Sequence, residues 1–324
     1  MIVTASAPGK TILFGEHFVV YGEPAIVIAI DRDVKVTAER RDDSNLHISS
    51  NLGFSGTFIG ERFETEEGDG SEKTLEPIKI TAETLFQTLK KKCGLNITIK
   101  SNIPIAVGLG SSGALAVATV AAIGRLLGAN LTREEIVKLS FESEKYVHLN
   151  PSGIDQTIST YGGVIVYSKS EGISHMKIES SIPIVIGNTR IQRNTGRLVD
   201  SVRIRKETFP QLMTQLTQTA GQLTREAISV LKKGDLKQLG ELMDINQGLL
   251  VSAGVSSEEL DRLINVAKKG GALGAKLTGA GGGGCIIALS KIGKRKEIAE
   301  AIRTAGGIPL IAEKTDEGVT TWTS

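Results

Sequence analysis

The stretch with the clearest chemical character is IPIAVGLGSSGALAVA, residues 103–118, where three glycines and two serines occupy five of six consecutive positions between apolar runs. A glycine-rich loop that runs into a helix presents backbone N–H groups at the positive end of the helix dipole, where anions such as phosphate bind. The residues concerned are Gly108, Gly110 and Gly113, with hydroxyls from Ser111 and Ser112. Spacing alone leaves two interpretations open, a phosphate-binding loop and a structural tight turn.

Neither of the two common nucleotide-binding signatures accounts for this loop. GLGSSG satisfies the bare G-x-G-x-x-G spacing, but it lies in a β-rich half with no βαβ unit and no suitably placed acidic residue after it. The sequence also lacks G-x-x-x-x-G-K-[ST]. If the loop binds phosphate, it does so in another structural context.

Three further stretches give the loop its context. They are APGKTILFGEHFVVYG (residues 7–22), HLNPSGIDQTISTYGG (148–163) and KLTGAGGGGCIIAL (276–289), in which five of the six residues from 279 to 284 are glycine. With the first loop, and in this order, they resemble the motifs of the GHMP kinase superfamily, and within it those of the mevalonate kinases. The resemblance extends over the whole length of the chain.

The resemblance implies an ATP site built on the first glycine loop. The implied phosphate-binding residues are Gly108, Leu109, Gly110, Ser111, Ser112, Gly113 and Ala114. Mg²⁺ would be held by Ser112 and by Glu144, which lies eleven residues before Asp155. Glu142 is close by, but this spacing favours Glu144.

The resemblance also implies the catalytic and substrate-binding residues. Asp155 would accept the proton of the substrate hydroxyl or orient it, and Lys10 would stabilise negative charge on the transferred phosphoryl group. Phosphoryl transfer passes through a loose transition state, so positioning and charge neutralisation supply most of the rate. The implied substrate-binding residues are Glu16, His17, Asp155, Thr195, Gly281 and Gly282.

One segment departs from the pattern of the family. In IGNTRIQRNTGRLV, Asn188 stands where an acidic residue is frequent, and Arg190, Arg193 and Arg197 follow it. Arginine binds carboxylate and phosphate with two parallel hydrogen bonds. These side chains could hold the carboxylate of mevalonate, bind a substrate that already carries a phosphate, or be solvated helix charges.

The expected activity is ATP- and Mg²⁺-dependent phosphorylation of the 5-hydroxyl of mevalonate. The alternatives are phosphomevalonate kinase or another small-molecule kinase of the superfamily, and a catalytically silent ligand sensor on the same fold. With 38 basic and 36 acidic residues, the net charge of +2 gives no electrostatic reason to expect nucleic acid or a membrane as a partner. The start of the sequence does not resemble a signal peptide, and the two cysteines lack metal-ligand spacing. A cytoplasmic protein is expected, and the resemblance suggests a homodimer, which is frequent in the family.

The secondary-structure elements that must position these residues are predicted to be mainly strands early in the chain and mainly helices in its second half. The first hundred residues predict mainly strands, including 25–30 and 34–39 joined by a polar turn, with a charged surface loop at 61–74. Thr132 and Glu135 fit a capping box that opens a helix. The second half predicts amphipathic helices over 207–234, 235–250 and 256–269.

The resemblance gives these elements a fold class. It implies a two-domain α+β protein, with an amino-terminal mixed α/β domain similar to ribosomal protein S5 domain 2 over residues 1–175. A ferredoxin-like domain with helices on one face follows over residues 176–324. The boundary is placed in the polar, strand-poor segment 168–181.

Overall fold

The computed structural model describes residues 1–104, 108–147, 152–192 and 194–324. Its larger sheet contains nine strands within these ranges. They are β1 (Ile2–Phe14), β2 (Ala25–Arg41), β3 (Leu46–Ser50), β4 (Phe54–Ile59), β5 (Arg62–Glu67), β6 (Gly94–Ser101), β7 (Val164–Ser168), β8 (Gly172–Met176) and β13 (Thr320–Thr323). The main order is β13-β1-β2-β6-β3-β4-β5, while β7 pairs with the start of β2 and with β8.

Four helices accompany the larger sheet: α1 (Ser71–Leu89), α2 (Ser111–Leu126), α3 (Arg133–Val147) and α4 (Ile154–Tyr161). Helix α2 packs on β1 and β2, and most of its residues are buried. The capping box at the start of α3 is confirmed, because Thr132 N donates to Glu135 and Glu135 N donates to the Thr132 hydroxyl. Helix α2 begins beside Lys10 of β1, against which the first glycine loop packs.

The smaller sheet has the strand order β10-β11-β9-β12, with every neighbour antiparallel. Its strands are β9 (Pro183–Asn188), β10 (Gly274–Thr278), β11 (Cys285–Leu289) and β12 (Ile308–Glu313). The helices of this half are α5 (Thr195–Thr208), α6 (Pro210–Lys233), α7 (Leu236–Ser252), α8 (Glu258–Lys269) and α9 (Arg295–Thr304). In chain order, helices α5 to α8 follow β9 and helix α9 follows β11. The predicted ferredoxin-like topology is therefore confirmed.

The two faces of the smaller sheet pack differently. On one face, residues such as Val185 and Ile286 pack against the apolar sides of α8 and α9. On the other face, Ile186 and Ile287 join the main core together with residues of α6 and α7. Within the described residues, therefore, both faces are covered, and the second face links the two halves of the molecule.

Three local predictions are wrong. The predicted turn at 31–33 is part of the continuous strand β2, where Asp33 accepts hydrogen bonds from the Ser6 hydroxyl (2.6 Å) and the Asn102 amide (2.7 Å). The predicted loop 61–74 contains β5 and the start of α1, and the segment 168–181 contains β8. Within the described residues, β5 and β8 each have a strand partner on one side only. Charged residues hide the strand signal of β5, and glycine, serine and histidine weaken that of β8.

The chain returns to the larger sheet at its carboxyl end. Strand β13 pairs antiparallel with β1, from Ser6 opposite Thr320 to Val3 opposite Thr323. A domain boundary at residue 175 stays a prediction, with the addition that residues 320–323 hydrogen-bond to the first half. Over the part of the chain that the structure describes, no helix is long and apolar enough to cross a membrane.

The close approach of α7 to β10 gives a stability test on one helix. A Cβ atom at Gly240 would lie 2.5 Å from the carbonyl group of Leu273, whereas one at Gly248 would meet no atom within 4 Å. We expect Gly240→Ala to lower the free energy of unfolding by about 1–3 kcal/mol through overpacking. Gly248→Ala should raise it by about 0.5–1 kcal/mol, since alanine favours an exposed helix position. Urea unfolding of both variants measures the difference, and equal stability would contradict the packing.

Candidate active site

An ion pair between Lys10 and Asp155 lies at the centre of the site. Lys10 is on β1, Asp155 is in the first turn of α4, and Lys10 Nζ lies 3.2 Å from Asp155 Oδ1. The Asp155 side chain is 25% exposed, so a small molecule can reach it, while the Lys10 side chain is more shielded at 11%. The structure therefore brings together the two residues to which the resemblance assigns catalysis.

The first glycine loop packs directly against this ion pair. Lys10 N donates to Leu109 O at 2.8 Å. A Cβ atom at Gly110, where φ is 75°, would lie 2.7 Å from Lys10 Cγ, and one at Gly113 would lie 2.7 Å from Asp155 Cβ. Side chains at these two positions would push the loop away from the pair, so glycine is what permits the approach.

The start of α2 offers polar groups beside the pair. Gly110 is the N-cap of the helix, the Ser112 side chain is exposed and that of Ser111 is half-buried. The first N–H groups of a helix lack partners within the helix, and the helix dipole favours an anion there. The geometry therefore suits an anionic group above Lys10 and Asp155.

Two of the predicted ATP-binding residues have fewer groups available to bind a phosphate than expected. The side chains of Leu109 and Ala114 belong to the hydrophobic core. Ala114 N already donates to Gly110 O at 3.0 Å, so Ala114 has no side-chain or N–H donor left for a phosphate. Leu109 could contact a ligand through its main chain only, while residues 105–107 lie outside the described residues.

Glu144 lies next to the catalytic pair through Gln156. Gln156 follows Asp155, its side chain is buried, and its Nε2 donates to Glu144 Oε2. Glu142 instead forms an exposed pair with Lys145, with Oε1 and Nζ 2.8 Å apart. Glu144, but not Glu142, is thus linked to the residue after Asp155, and a metal contact of Glu144 stays a prediction. Residues 148–151 of the same motif are outside the described ranges.

The structure gives Glu16 a different environment from the predicted substrate contact. Its carboxylate is buried in an ion pair with Lys276 Nζ and accepts a longer hydrogen bond from Asn246 Nδ2 (3.4 Å). Burial lowers the pKa of Lys276, and the charge of Glu16 opposes this effect. The carboxylate is thus paired inside the protein, and a substrate contact of Glu16 stays a prediction. Sequence analysis missed Lys276, since nothing in AKLT distinguishes a buried lysine from an exposed one.

His17 and the late glycine loop meet on the other side of the site. His17 is buried, adopts a φ of 58°, and its Nε2 lies 2.8 Å from Ala280 O. In the loop, a Cβ atom at Gly281 would lie 2.0 Å from Val255 O, and one at Gly282 would lie 2.9 Å from Leu198 Cδ1. The loop is thus packed tightly between the end of α7 and α5. Substrate contacts of His17, Gly281 and Gly282 stay predictions.

The residues predicted at the start of α5 are exposed. They are Arg190, Thr195 and Arg197, and Asn194 caps the helix by accepting a hydrogen bond from Arg197 N. Among the described residues, no acidic side chain forms an ion pair with Arg190 or Arg197. Arg193 lies outside the described residues.

Comparison with known proteins finds matches along nearly the whole chain. Residues 76–163 match the sequence model of the GHMP kinases N terminal domain, and residues 227–308 match that of the GHMP kinases C terminal. The mevalonate kinase of Pyrococcus horikoshii is 42% identical over 330 residues, which cover 98% of this chain and 97% of that protein. The mevalonate kinase of Methanothermobacter thermautotrophicus is 37% identical over 285 residues, 88% and 89% of the two chains.

Solved structures show the same fold. L. major mevalonate kinase, crystallised in complex with R-mevalonate, matches with a TM-score of 0.84 and 28% identity, over 97% of this chain and 96% of that chain. Methanococcus jannaschii mevalonate kinase matches with a TM-score of 0.83 and 25% identity, over 97% and 98%.

The chain is therefore a GHMP kinase, with both domains of that superfamily and its glycine loop beside a lysine–aspartate pair. Within the superfamily it belongs to the mevalonate kinase family, since relatives of that name align over nearly its whole length.

The contact between Gly113 and Asp155 can be tested without changing either catalytic side chain. We expect Gly113→Ala to lower kcat about 100-fold, because the added methyl group would displace Asp155 and misplacement by about 1 Å can cost that much. Gly124→Ala is the control on the same helix, since its Cβ would meet only the end of the flexible Leu131 side chain. ADP release measures both variants. Wild-type kcat in Gly113→Ala would show that the loop does not constrain Asp155.

Proposed function

We propose that the protein transfers the γ-phosphoryl group of ATP to the 5-hydroxyl of mevalonate, giving 5-phosphomevalonate and ADP. The observation that carries the proposal is the Lys10–Asp155 ion pair, 3.2 Å long, directly against the first glycine loop. We infer mevalonate as the substrate because the aligned relatives are named mevalonate kinase and one matching structure is a complex with R-mevalonate.

Asp155 and Lys10 divide the chemical work. The Asp155 carboxylate accepts a hydrogen bond from the substrate hydroxyl, orients its oxygen towards the terminal phosphorus, and takes the proton as the new P–O bond forms. The Lys10 ammonium holds the carboxylate in place and stabilises the negative charge that the transferred group carries. Because both groups are partly shielded from water, their charges act more strongly than they would on the surface.

The residues around the pair suit ATP and Mg²⁺. The glycine positions against Lys10 and Asp155 form a cradle that any Cβ atom would fill, and the start of α2 provides N–H donors for phosphates. The Ser112 hydroxyl and the Glu144 carboxylate are hard oxygen ligands, and Mg²⁺ is typically held by one or two carboxylates together with substrate phosphates. When bound, the ion would neutralise phosphate charge and help to orient the nucleotide.

The substrate's charged end has a candidate site at the start of α5. Arg190, Thr195 and Arg197 are exposed there, and the adjacent Leu198 contacts the late glycine loop. We place the mevalonate carboxylate near this group. The same arginines would also suit a phosphate-bearing substrate, so phosphomevalonate kinase activity is the second candidate.

Four finer points stay predictions. The use of Mg²⁺ and the homodimer rest on the resemblance. The cytoplasmic location and the absence of nucleic-acid or membrane partners rest on the start of the sequence, the cysteines and the net charge.

Replacing Asp155 separates catalysis from nucleotide binding. We expect Asp155→Asn to reduce kcat by about 10²–10⁴-fold, because the amide cannot accept the hydroxyl proton, while affinity for ATP stays within about twofold. Glu142→Gln removes an exposed carboxylate from the neighbouring helix and serves as the control. Steady-state ADP release and calorimetric ATP binding give the two readouts. Unchanged turnover in Asp155→Asn would contradict the mechanism and favour a silent ligand sensor.

A substrate panel decides between the candidate activities. We expect coupled ADP release with mevalonate to exceed that with phosphomevalonate, galactose or homoserine by at least about 100-fold in kcat/KM. A site built for a particular set of polar groups rejects analogues that leave those groups unpaired. Turnover with phosphomevalonate but not with mevalonate would overturn the assignment of mevalonate as the substrate, but the protein would still be a kinase.

A further inference from the structure

A second ion pair, separate from the catalytic one, is buried between the two halves of the protein. Glu16 follows β1 of the larger sheet and Lys276 lies on β10 of the smaller sheet, and both side chains are 0% exposed. Lys276 Nζ also donates to Leu277 O at 2.7 Å, and Asn246 from α7 contacts Glu16. Burying two charges is costly, and an apolar pair of similar volume is often as stable. Stability alone therefore gives little reason for the pair.

The ion pair belongs to a row of contacts along β10 and the residues that follow it. Thr278 Oγ1 lies 3.1 Å from Thr11 Oγ1 and donates to Ile12 O at 3.0 Å. Ala280 O lies 2.8 Å from His17 Nε2. Alternate residues of a strand point to the same face, so Lys276 and Thr278 meet the first half of the chain side by side.

This row connects the two parts of the site. At one end it leads into the late glycine loop, which begins at Gly279, and on the opposite side Thr11 directly follows Lys10. A displacement of β10 relative to β1 would therefore change the position of the late glycine loop relative to Lys10 and Asp155.

We propose that Lys276 is a positioning residue, whose buried ion pair with Glu16 fixes the late glycine loop relative to the Lys10–Asp155 pair. The proposal rests on the phosphotransferase function proposed above. Lys276 contacts no reacting atom and acts through the backbone that links it to the loop.

The chain offers a matched control on the same strand. Asp244 accepts a hydrogen bond from Ala275 N (3.1 Å) and pairs with Lys268 at the surface. Lys268→Met removes an ion pair that also anchors β10, but it leaves the contacts between the two halves intact. It separates the loss of any ion pair near β10 from the loss of the buried one.

The test compares wild type, Lys276→Met, the double variant Glu16→Met/Lys276→Met, and Lys268→Met. The single variant leaves the Glu16 charge buried and unpaired, so we expect it to be the least stable. The urea concentration at the unfolding midpoint of the double variant should be no lower than that of wild type. Its kcat with mevalonate and ATP should nevertheless be reduced at least tenfold. Lys268→Met should keep kcat within twofold. A double variant with wild-type kcat would overturn the proposal.

Amide hydrogen exchange gives a readout that does not depend on activity. Without ligands, we expect the segment 278–285 to exchange at least tenfold faster in the double variant than in wild type or Lys268→Met. Unchanged exchange would overturn the positioning role whatever the substrate is. If wild type shows no turnover with mevalonate while the exchange difference is present, the proposed function fails and the positioning role stands.

Thr278→Val extends the test without altering a buried charge. It removes the hydroxyl contacts to Thr11 and Ile12 and keeps the side-chain shape. We expect the same direction of change, with kcat lowered about threefold to tenfold and faster exchange over 278–285. This variant also keeps the proposal testable if the methionine variants fail to fold, and wild-type values for both readouts would overturn it.

Discussion

The active site depends on the contact between an ammonium and a carboxylate that come from distant parts of the chain. Lys10 lies on a strand with partners on both sides, and Asp155 lies at the start of a short helix packed against that strand. The glycine loop approaches both residues closely enough that an extra carbon atom would collide with either one. The proposed transfer from nucleotide to alcohol requires that these three elements keep their mutual positions.

Strand β1 holds Lys10, Asp155 and the glycine loop in their mutual positions. It pairs along most of its length with β2 and at its beginning with β13, so neither end of the strand is free to move by itself. Lys10 N donates to the glycine loop, Thr11 contacts β10 of the smaller sheet, and Glu16, just beyond β1, pairs with Lys276. One strand and the residues after it therefore hold the first glycine loop, Lys10 and the second half of the molecule together.

Local signals in the sequence predicted the parts of the site that depend on neighbouring residues. The glycine loop before α2, the capping box at Thr132 and the amphipathic helices α6 to α8 all follow from nearby residue types. The order of the motifs added the fold and the catalytic pair by resemblance. Continuity of β2 through 31–33 was not predictable, because β1, a separate strand, pairs with β2 on both sides of this segment, with a register shift between Asp33 and Ile30. The same limit applies to Glu16, whose partner is 260 positions away.

A crystal structure of the protein with mevalonate and a non-hydrolysable ATP analogue tests the central claim most directly. The account predicts that the 5-hydroxyl oxygen lies within hydrogen-bond distance of the Asp155 carboxylate, about 2.6–3.2 Å, and faces the terminal phosphorus held by the first glycine loop. A mevalonate hydroxyl bound away from Lys10 and Asp155, or phosphates bound away from the start of α2, would contradict it.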